Sequence, residues 1–266
     1  MKKPDTVVLI HGLWMTALSW EHWVERYTAR GYKVIARSWP GMEGDVAALR
    51  RDPSAFARLG IKEIVDHYDA IIRALESPPI IMGHSFGGAF TEVLVDRGLG
   101  AAAVAIDAAA VKGIFNLPLT QIRSAMPVLG NPANSRRAVM LTHDQFHYAF
   151  TNTLPIDQSR AAYDRYAVPG PGRVLFQGAL ANFSRHAATA VDFKKANRAP
   201  LLIIAGGADH IVPASVDRAV ANLYAKGAGK TEYKLYPERS HWTVAQPGWE
   251  DVADYALDWA ERNTAN

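Results

Sequence analysis

A serine between glycines is the first residue in this chain whose setting suggests chemistry. The stretch Pro79-Ile80-Ile81-Met82-Gly83-His84-Ser85-Phe86-Gly87-Gly88-Ala89-Phe90 passes from an apolar, strand-like run through G-x-S-x-G into an apolar helix. A serine on so tight a strand-to-helix turn sits in strained backbone geometry, with its Oγ raised above the sheet. Side chains two residues to either side would strike neighbouring backbone, so glycine is needed at both places. The helix that starts there points unpaired N–H groups at the reacting centre.

A serine hydroxyl is a weak nucleophile at neutral pH and needs a base oriented by a third group. On such an elbow the partners follow in the order acid, then histidine. Residues 201–209 read as an apolar strand, then the turn Gly206-Gly207-Ala208, then Asp209. Residues 233–241 read as the next strand followed by a loop ending in Ser240-His241. Open parallel sheets gather functional groups outside the carboxyl ends of their strands, which brings Ser85, Asp209 and His241 to one edge. Asp107 also closes a strand and is an alternative acid; otherwise its side chain is expected to cap the turn that follows it. His84 is expected to be structural and to point away on the tight turn, and His11 to brace its own loop. His143 and His147 have a spacing that could hold zinc, but the glutamate of an H-E-x-x-H motif is absent, so no metal is expected.

The elements that must position these residues alternate in type. Apolar, β-branched runs occur at 7–10, 32–36, 79–82, 102–106, 201–205 and 232–236, nearly continuous as in strands buried on both faces. Helical periodicity fills 18–29, 62–75, 216–226 and 249–262. That alternation implies an α/β fold with a mostly parallel six-stranded sheet and helices on both faces. One interval is too long for a simple crossover. About 90 residues separate Asp107 from Pro200. They contain a capping-box signal at Thr142 and Gln145, a second helical run at 155–166, the breaker Pro169-Gly170-Pro171-Gly172 and a third run at 172–183. The expected division is a core at 1–111, an inserted helical cap or lid at 112–197 and the rest of the core at 198–266.

Composition narrows the classes further. Hydrophobic residues make up 49% and charged residues 21%, a balance that excludes a disordered chain. The net charge is +3, and the basic residues are scattered without interleaved aromatics, so no nucleic-acid partner is expected. The absence of cysteine excludes disulfides and a thiolate nucleophile. The apolar run behind Lys2 and Lys3 is too short for a signal peptide, and no run approaches a bilayer span. The expectation is a cytoplasmic protein with no membrane partner.

Taken together, the elbow, the acid turn Gly207-Ala208-Asp209 and the Ser240-His241 loop resemble the α/β-hydrolase family across nearly the whole chain. His11-Gly12, after the first strand, resembles that family's oxyanion loop. The resemblance implies that the backbone N–H groups of Leu13 and Phe86 stabilise a tetrahedral oxyanion. Where relatives often carry Asp-x-x-Gly-x-Gly-x-Ser after the second strand, this chain reads Ser38-Trp39-Pro40-Gly41-Met42-Glu43-Gly44-Asp45, which leaves the subfamily open.

The implied activity is a carboxylesterase-type serine hydrolase acting on a small, largely apolar substrate, with no cofactor. Trp14, and Phe146 from the cap, are the expected substrate contacts, and Phe86 flanks the site as well. No gathering of Arg or Lys points to a phosphate or dicarboxylate site. The same residues would also serve C–C bond hydrolysis, lyase, perhydrolase or amidase chemistry, or a small-molecule receptor that retains the fold.

Overall fold

The computed structural model describes residues 4–264, so the first three and last two residues of the expected core bounds lie outside it. The apolar runs form β1 (Thr6–Ile10), β2 (Lys33–Ala36), β3 (Ile80–His84) and β4 (Ala102–Ile106). Between them lie α1 (Glu21–Ala29), α2 (Val46–Arg51), α3 (Ile61–Arg73) and α4 (Phe86–Asp96). The interval after β4 holds α5 (Leu119–Leu129), β5 (Ala138–Val139), α6 (His143–Ala149), α7 (Ile156–Tyr166), β6 (Gly170–Pro171) and α8 (Gly172–Ala179). The chain then returns through β7 (Leu201–Gly206), α9 (Ala214–Tyr224), β8 (Thr231–Tyr236) and α10 (Trp249–Asn263).

The main sheet has the order β2-β1-β3-β4-β7-β8, and every neighbouring pair is parallel. Successive strand residues point to opposite faces, and each face has its own helical cover. Val7 and Leu9 pack with Trp20, Trp23 and Tyr27 and with the buried stripe of α10. Val8 and Ile10 turn the other way, onto Ile64, Val65 and Tyr68 of α3 and Phe90 of α4. Burying an aliphatic or aromatic side chain of this kind stabilises the fold by roughly 1.5–3 kcal/mol. Strand order reverses between β1 and β3. A crevice therefore opens outside their carboxyl ends, and it is there that Leu13 and Ser85 emerge.

The interval between β4 and β7 lies on the core and is tied to it by hydrogen bonds. The first N–H of α3 is capped by Gln177 Oε1 from α8 at 2.8 Å, and Arg50 donates to the carbonyls of Ala167 and Tyr163. The capping box at Thr142 and Gln145 is present, and β5 and β6 pair as a short antiparallel ribbon. Two helices depart from the sequence expectation. α2 is a single short piece within a loop, and α5 carries Pro127 in its last turn. Proline there removes one backbone donor and disguises an otherwise helical stretch as a loop. No helix among the described residues is long and apolar enough to cross a membrane.

Candidate active site

The elbow is built by backbone contacts that leave no room for side chains. A Cβ on Gly83 would lie 2.0 Å from the Gly87 carbonyl oxygen, and one on Gly87 would lie 2.1 Å from the Ile10 carbonyl oxygen. Ser85 is held between them at φ 58° and ψ −123°. Its N–H donates to Ile106 O at 2.9 Å, and its carbonyl accepts from Gly88, Ala89 and Ala109. Trp14, Ser85 and Asp107 are the non-glycine residues with positive φ among the described residues, and each follows the carboxyl end of β1, β3 or β4. Strain of this kind gathers where surrounding structure over-determines the backbone.

The histidine loop after β8 and the turn after β7 meet at a short contact. His241 Nδ1–H donates to Asp209 Oδ2 at 2.5 Å, and both side chains are fully buried. Asp209 Oδ1 accepts the N–H groups of Ile211 and Val212 at 2.7 and 2.8 Å, which fixes the carboxylate plane. Burial raises the Asp209 carboxyl, opposed by those two amides, and burial pushes the His241 imidazole down to about 3. The resting imidazole is therefore neutral, with its proton on Nδ1. His241 Nε2 is buried and makes no hydrogen bond.

Asp107 sits elsewhere. Its Oδ1 accepts the N–H of Gly206, on β7, at 2.6 Å, and its Oδ2 stands 4.0 Å from His84 Nε2. It braces the acid turn across the sheet and does not cap the turn after itself, as the sequence suggested. His84 makes a backbone contact, in keeping with a structural place: its Nε2–H donates to the His241 carbonyl at 2.8 Å, and the two rings lie 4.7 Å apart. Phe150 packs edge-on to the His241 ring, with centroids 5.0 Å apart.

The loop after β1 completes the edge. A Cβ on Gly12 would fall 2.7 Å from Ser85 Cβ, so glycine alone lets this loop reach Ser85. His11 accepts the Trp39 N–H on Nε2 and donates from Nδ1 to Gly12 O, bracing its loop as expected. Burial pushes its imidazole down to about 3. The N–H groups of Leu13 and Phe86 donate to no acceptor among the described residues. Both residues are buried, and their unpaired N–H groups flank the elbow, open to an acceptor.

A model of the alpha/beta hydrolase family matches residues 7–255. The chain belongs to that family. Its fold is shared by the monoacylglycerol lipase of Paleococcus ferrophilus, 22% identical over 99% of this chain and 97% of that one, with a TM-score of 0.68. Polyneuridine aldehyde esterase superposes with a TM-score of 0.68 at 16% identity, covering 97% of this chain and 99% of that one. A pyrethroid hydrolase from Sphingobium faniae gives 0.66 at 20% identity, with 97% of each chain covered. No curated protein sequence matches the chain.

Within this alpha/beta hydrolase, a cavity of about 290 Å³ opens over Ser85. Trp14 and Phe86 line it, as expected from the sequence. Trp14 is pinned by its Nε1–H to Val139 O at 3.1 Å and by its carbonyl, which accepts from Val168. Phe146 does not line it. That ring is fully buried, stacked on Phe150 at 4.9 Å and edge-on to Tyr163 and Trp242. The capping box sets the phase of α6 so that its apolar face turns onto the Trp242 loop, and a substrate contact is not available to Phe146. The wall is made instead by α5, α8, the loop after β4 and Ile211-Val212 beside the acid turn. The sequence marked Phe115, Leu117, Met126 and Leu129 only as apolar residues of the cap, most of them expected in its own core, and all four line the cavity. Asp217 was also missed; buried on α9, it accepts the Ala108 N–H at 3.1 Å and steadies the segment beside the elbow.

His84, Asp107 and His241 offer ligating atoms within 4.8 Å of one another. His84 Nε2 and His241 Nδ1 already serve the bonds described above, while His241 Nε2 and Asp107 Oδ2 have no hydrogen-bond partner among the described residues. His143 and His147 stack with centroids 6.2 Å apart, and His143 Nε2 is hydrogen-bonded to Ser159 Oγ.

Proposed function

We propose that the protein is a serine hydrolase that cleaves a carboxylic ester, or a closely related acyl bond, of a small and largely apolar substrate. The observation that carries this reading is the buried Asp209–His241 pair, whose Nε2 is unpartnered on the same sheet edge that presents the strained Ser85. Ser85 Oγ attacks the acyl carbon while His241 Nε2 takes its proton. Asp209 holds the imidazole tautomer and stabilises the imidazolium. The Leu13 and Phe86 N–H groups receive the developing oxyanion, each contributing about 10²–10³ in rate. The imidazolium then protonates the leaving alcohol, and the acyl-enzyme is hydrolysed by water with His241 again as base. These steps use no metal or organic cofactor. The uncharged cavity wall supports an apolar acyl or alcohol group. The relatives named as a lipase and an esterase add support for acyl chemistry.

The test is fluorophosphonate labelling together with hydrolysis of p-nitrophenyl esters from acetate to decanoate, wild type beside Ser85→Ala. Wild type is expected to label and turn over, and the variant to lose turnover by about 10⁴-fold or more. The base works only when neutral, and burial holds its pKa below 6.5, so kcat/KM should stay level below pH 6.5 and fall only at more acid pH. A folded wild type that neither labels nor hydrolyses any ester would sink the reading.

A further inference from the structure

None of the residues lining the cavity over Ser85 is charged, and its wall continues outward onto the surface as exposed apolar side chains. Phe115 is 75% exposed, Leu117 68% and Phe183 83%, and Ile122 and Met126 of α5 are exposed beside them. All five also line the cavity, so they form one mouth rather than scattered residues. The mouth is held together by polar contacts beneath it. Asn182 accepts the Gly113 N–H at 2.7 Å and donates to Ile114 O at 2.6 Å, which ties the loop bearing Phe115 to the turn bearing Phe183. Leu119, 84% exposed at the start of α5, extends the patch beyond the cavity. A monomer rarely shows water so many large apolar side chains in one place without a partner for them.

The charge around this mouth is one-sided. No Asp or Glu occurs between Asp107 and Asp144 or between Asp164 and Asp192, the two stretches that supply it. Beside the mouth residues the same stretches carry Lys112, Arg123 on α5, and Arg185 two residues after Phe183. None of these three makes an ion pair among the described residues, although Arg123 stacks on the Tyr148 ring at 3.8 Å, whereas Arg165 and Arg173 of the same stretches are paired with Glu21 and Glu63. Lys112 Nζ donates to Ser184 O at 2.6 Å, which places its charge next to the Phe183 turn. Exposed apolar side chains with unneutralised cations beside them match the interface of an anionic bilayer, where acyl boundary and headgroup charge lie side by side.

We propose that this mouth docks on an anionic lipid bilayer, and that the ester substrate passes from the bilayer down the cavity to Ser85. The second half of that statement rests on the hydrolase reading; the first half does not. This departs from the sequence expectation of no membrane partner, which rested on the lack of a spanning run; surface docking requires none.

The experiment is flotation of the full chain, as wild type and as Ser85→Ala, with two kinds of vesicle. One is phosphatidylcholine alone and the other contains about 30% phosphatidylglycerol. Both proteins should float with the anionic vesicles, and capture should fall about tenfold on neutral vesicles or in about 0.5 M salt. Leu119→Ser combined with Arg185→Glu alters exposed side chains outside the cavity. It should lower capture about tenfold while p-nitrophenyl acetate hydrolysis stays at the wild-type rate. Absence of flotation with either vesicle, or equal capture by both, would overturn the proposal. So would a dimer in sedimentation that the double variant dissolves while vesicles capture nothing, since a second copy would then cover the patch. Flotation without fluorophosphonate labelling would leave docking standing and remove the hydrolase reading; labelling without flotation would do the reverse.

Discussion

The two walls of the cavity are made in opposite ways. On the sheet side, Ser85, Asp209 and His241 are buried, and backbone meets backbone closely enough that Gly12, Gly83 and Gly87 have no space for a Cβ. On the cap side, short helices and loops present apolar side chains, several facing water. The difference separates two tasks. Under the proposed hydrolase reading, the sheet-side groups move protons and bind an oxyanion, tasks that need placement to within a fraction of an ångström, and peptide geometry fixes them. Groups that select an apolar substrate need only volume and hydrophobicity, and many side chains supply those.

The comparison breaks first at the acid. Asp209 and Asp107 are both buried carboxyls at strand ends, yet only Asp209 reaches the base. Asp209→Asn should strand the imidazole in the wrong tautomer and lower kcat by about 10⁴-fold. Asp107→Asn keeps an oxygen for the Gly206 N–H and should cost less than about tenfold, because Asp107 makes no hydrogen bond to His241. Steady-state rates on one p-nitrophenyl ester decide it. If the two losses are reversed, the acid is Asp107, and the sheet-side geometry has been assigned to the wrong strand.

The same division governs what could be read from the sequence. The six strands were legible because burial on both faces makes them continuous apolar runs, and only their ends shifted, as when β3 extends through His84. That Ser85, Asp209 and His241 follow strand ends on one edge was legible because parallel topology forces strand ends there. That His84 lies against His241 could not be read, because the direction of a side chain on a strained turn is not encoded in residue type. Phe146 was misread for a related reason. Its helix was correctly placed by the capping box, but helical phase gives only an inward face, and inward here meant Trp242 rather than the cavity. α5, which does line the cavity, was hidden by Pro127 and by the exposed Leu119, Ile122 and Met126, which weaken the usual pattern of one apolar stripe.

A stability measurement sharpens the comparison next. Gly87→Ala would push a methyl into the carbonyl oxygens of Ile10 and His11, 2.1 and 2.7 Å from where its Cβ must lie. Neither strand can retreat without breaking the sheet, so a loss of about 4 kcal/mol or more, or failure to fold, is expected. Gly98→Ala is the control. Gly98 also has an unusual backbone, with φ +80°, but nothing lies within 4 Å of its Cβ position. The expected loss is that of left-handed backbone alone, about 1–2 kcal/mol. Urea midpoints for the two proteins, or the soluble yield where one does not fold, make the measurement. Equal losses would mean that conformational freedom rather than close approach holds the elbow.

The smallest effect belongs to the cap, and it tests whether that wall selects by volume. Ala125 lies on α5 and faces the cavity, with neighbours that are apolar and partly open. Ala125→Leu adds three carbon atoms to a cavity of about 290 Å³ without approaching Ser85 through the backbone. A long acyl chain would lose the space those atoms occupy, while an acetyl group would not reach them. The ratio of kcat/KM for the decanoate and acetate esters should therefore fall about tenfold, within the 10–200-fold range for a methylene-sized change in an apolar pocket. The fall should come from the decanoate term. An equal fall for both esters would show that α5 is coupled to the geometry at Ser85. The cap would then share in the placement of the reacting groups, and the separation of tasks between the two walls would fail.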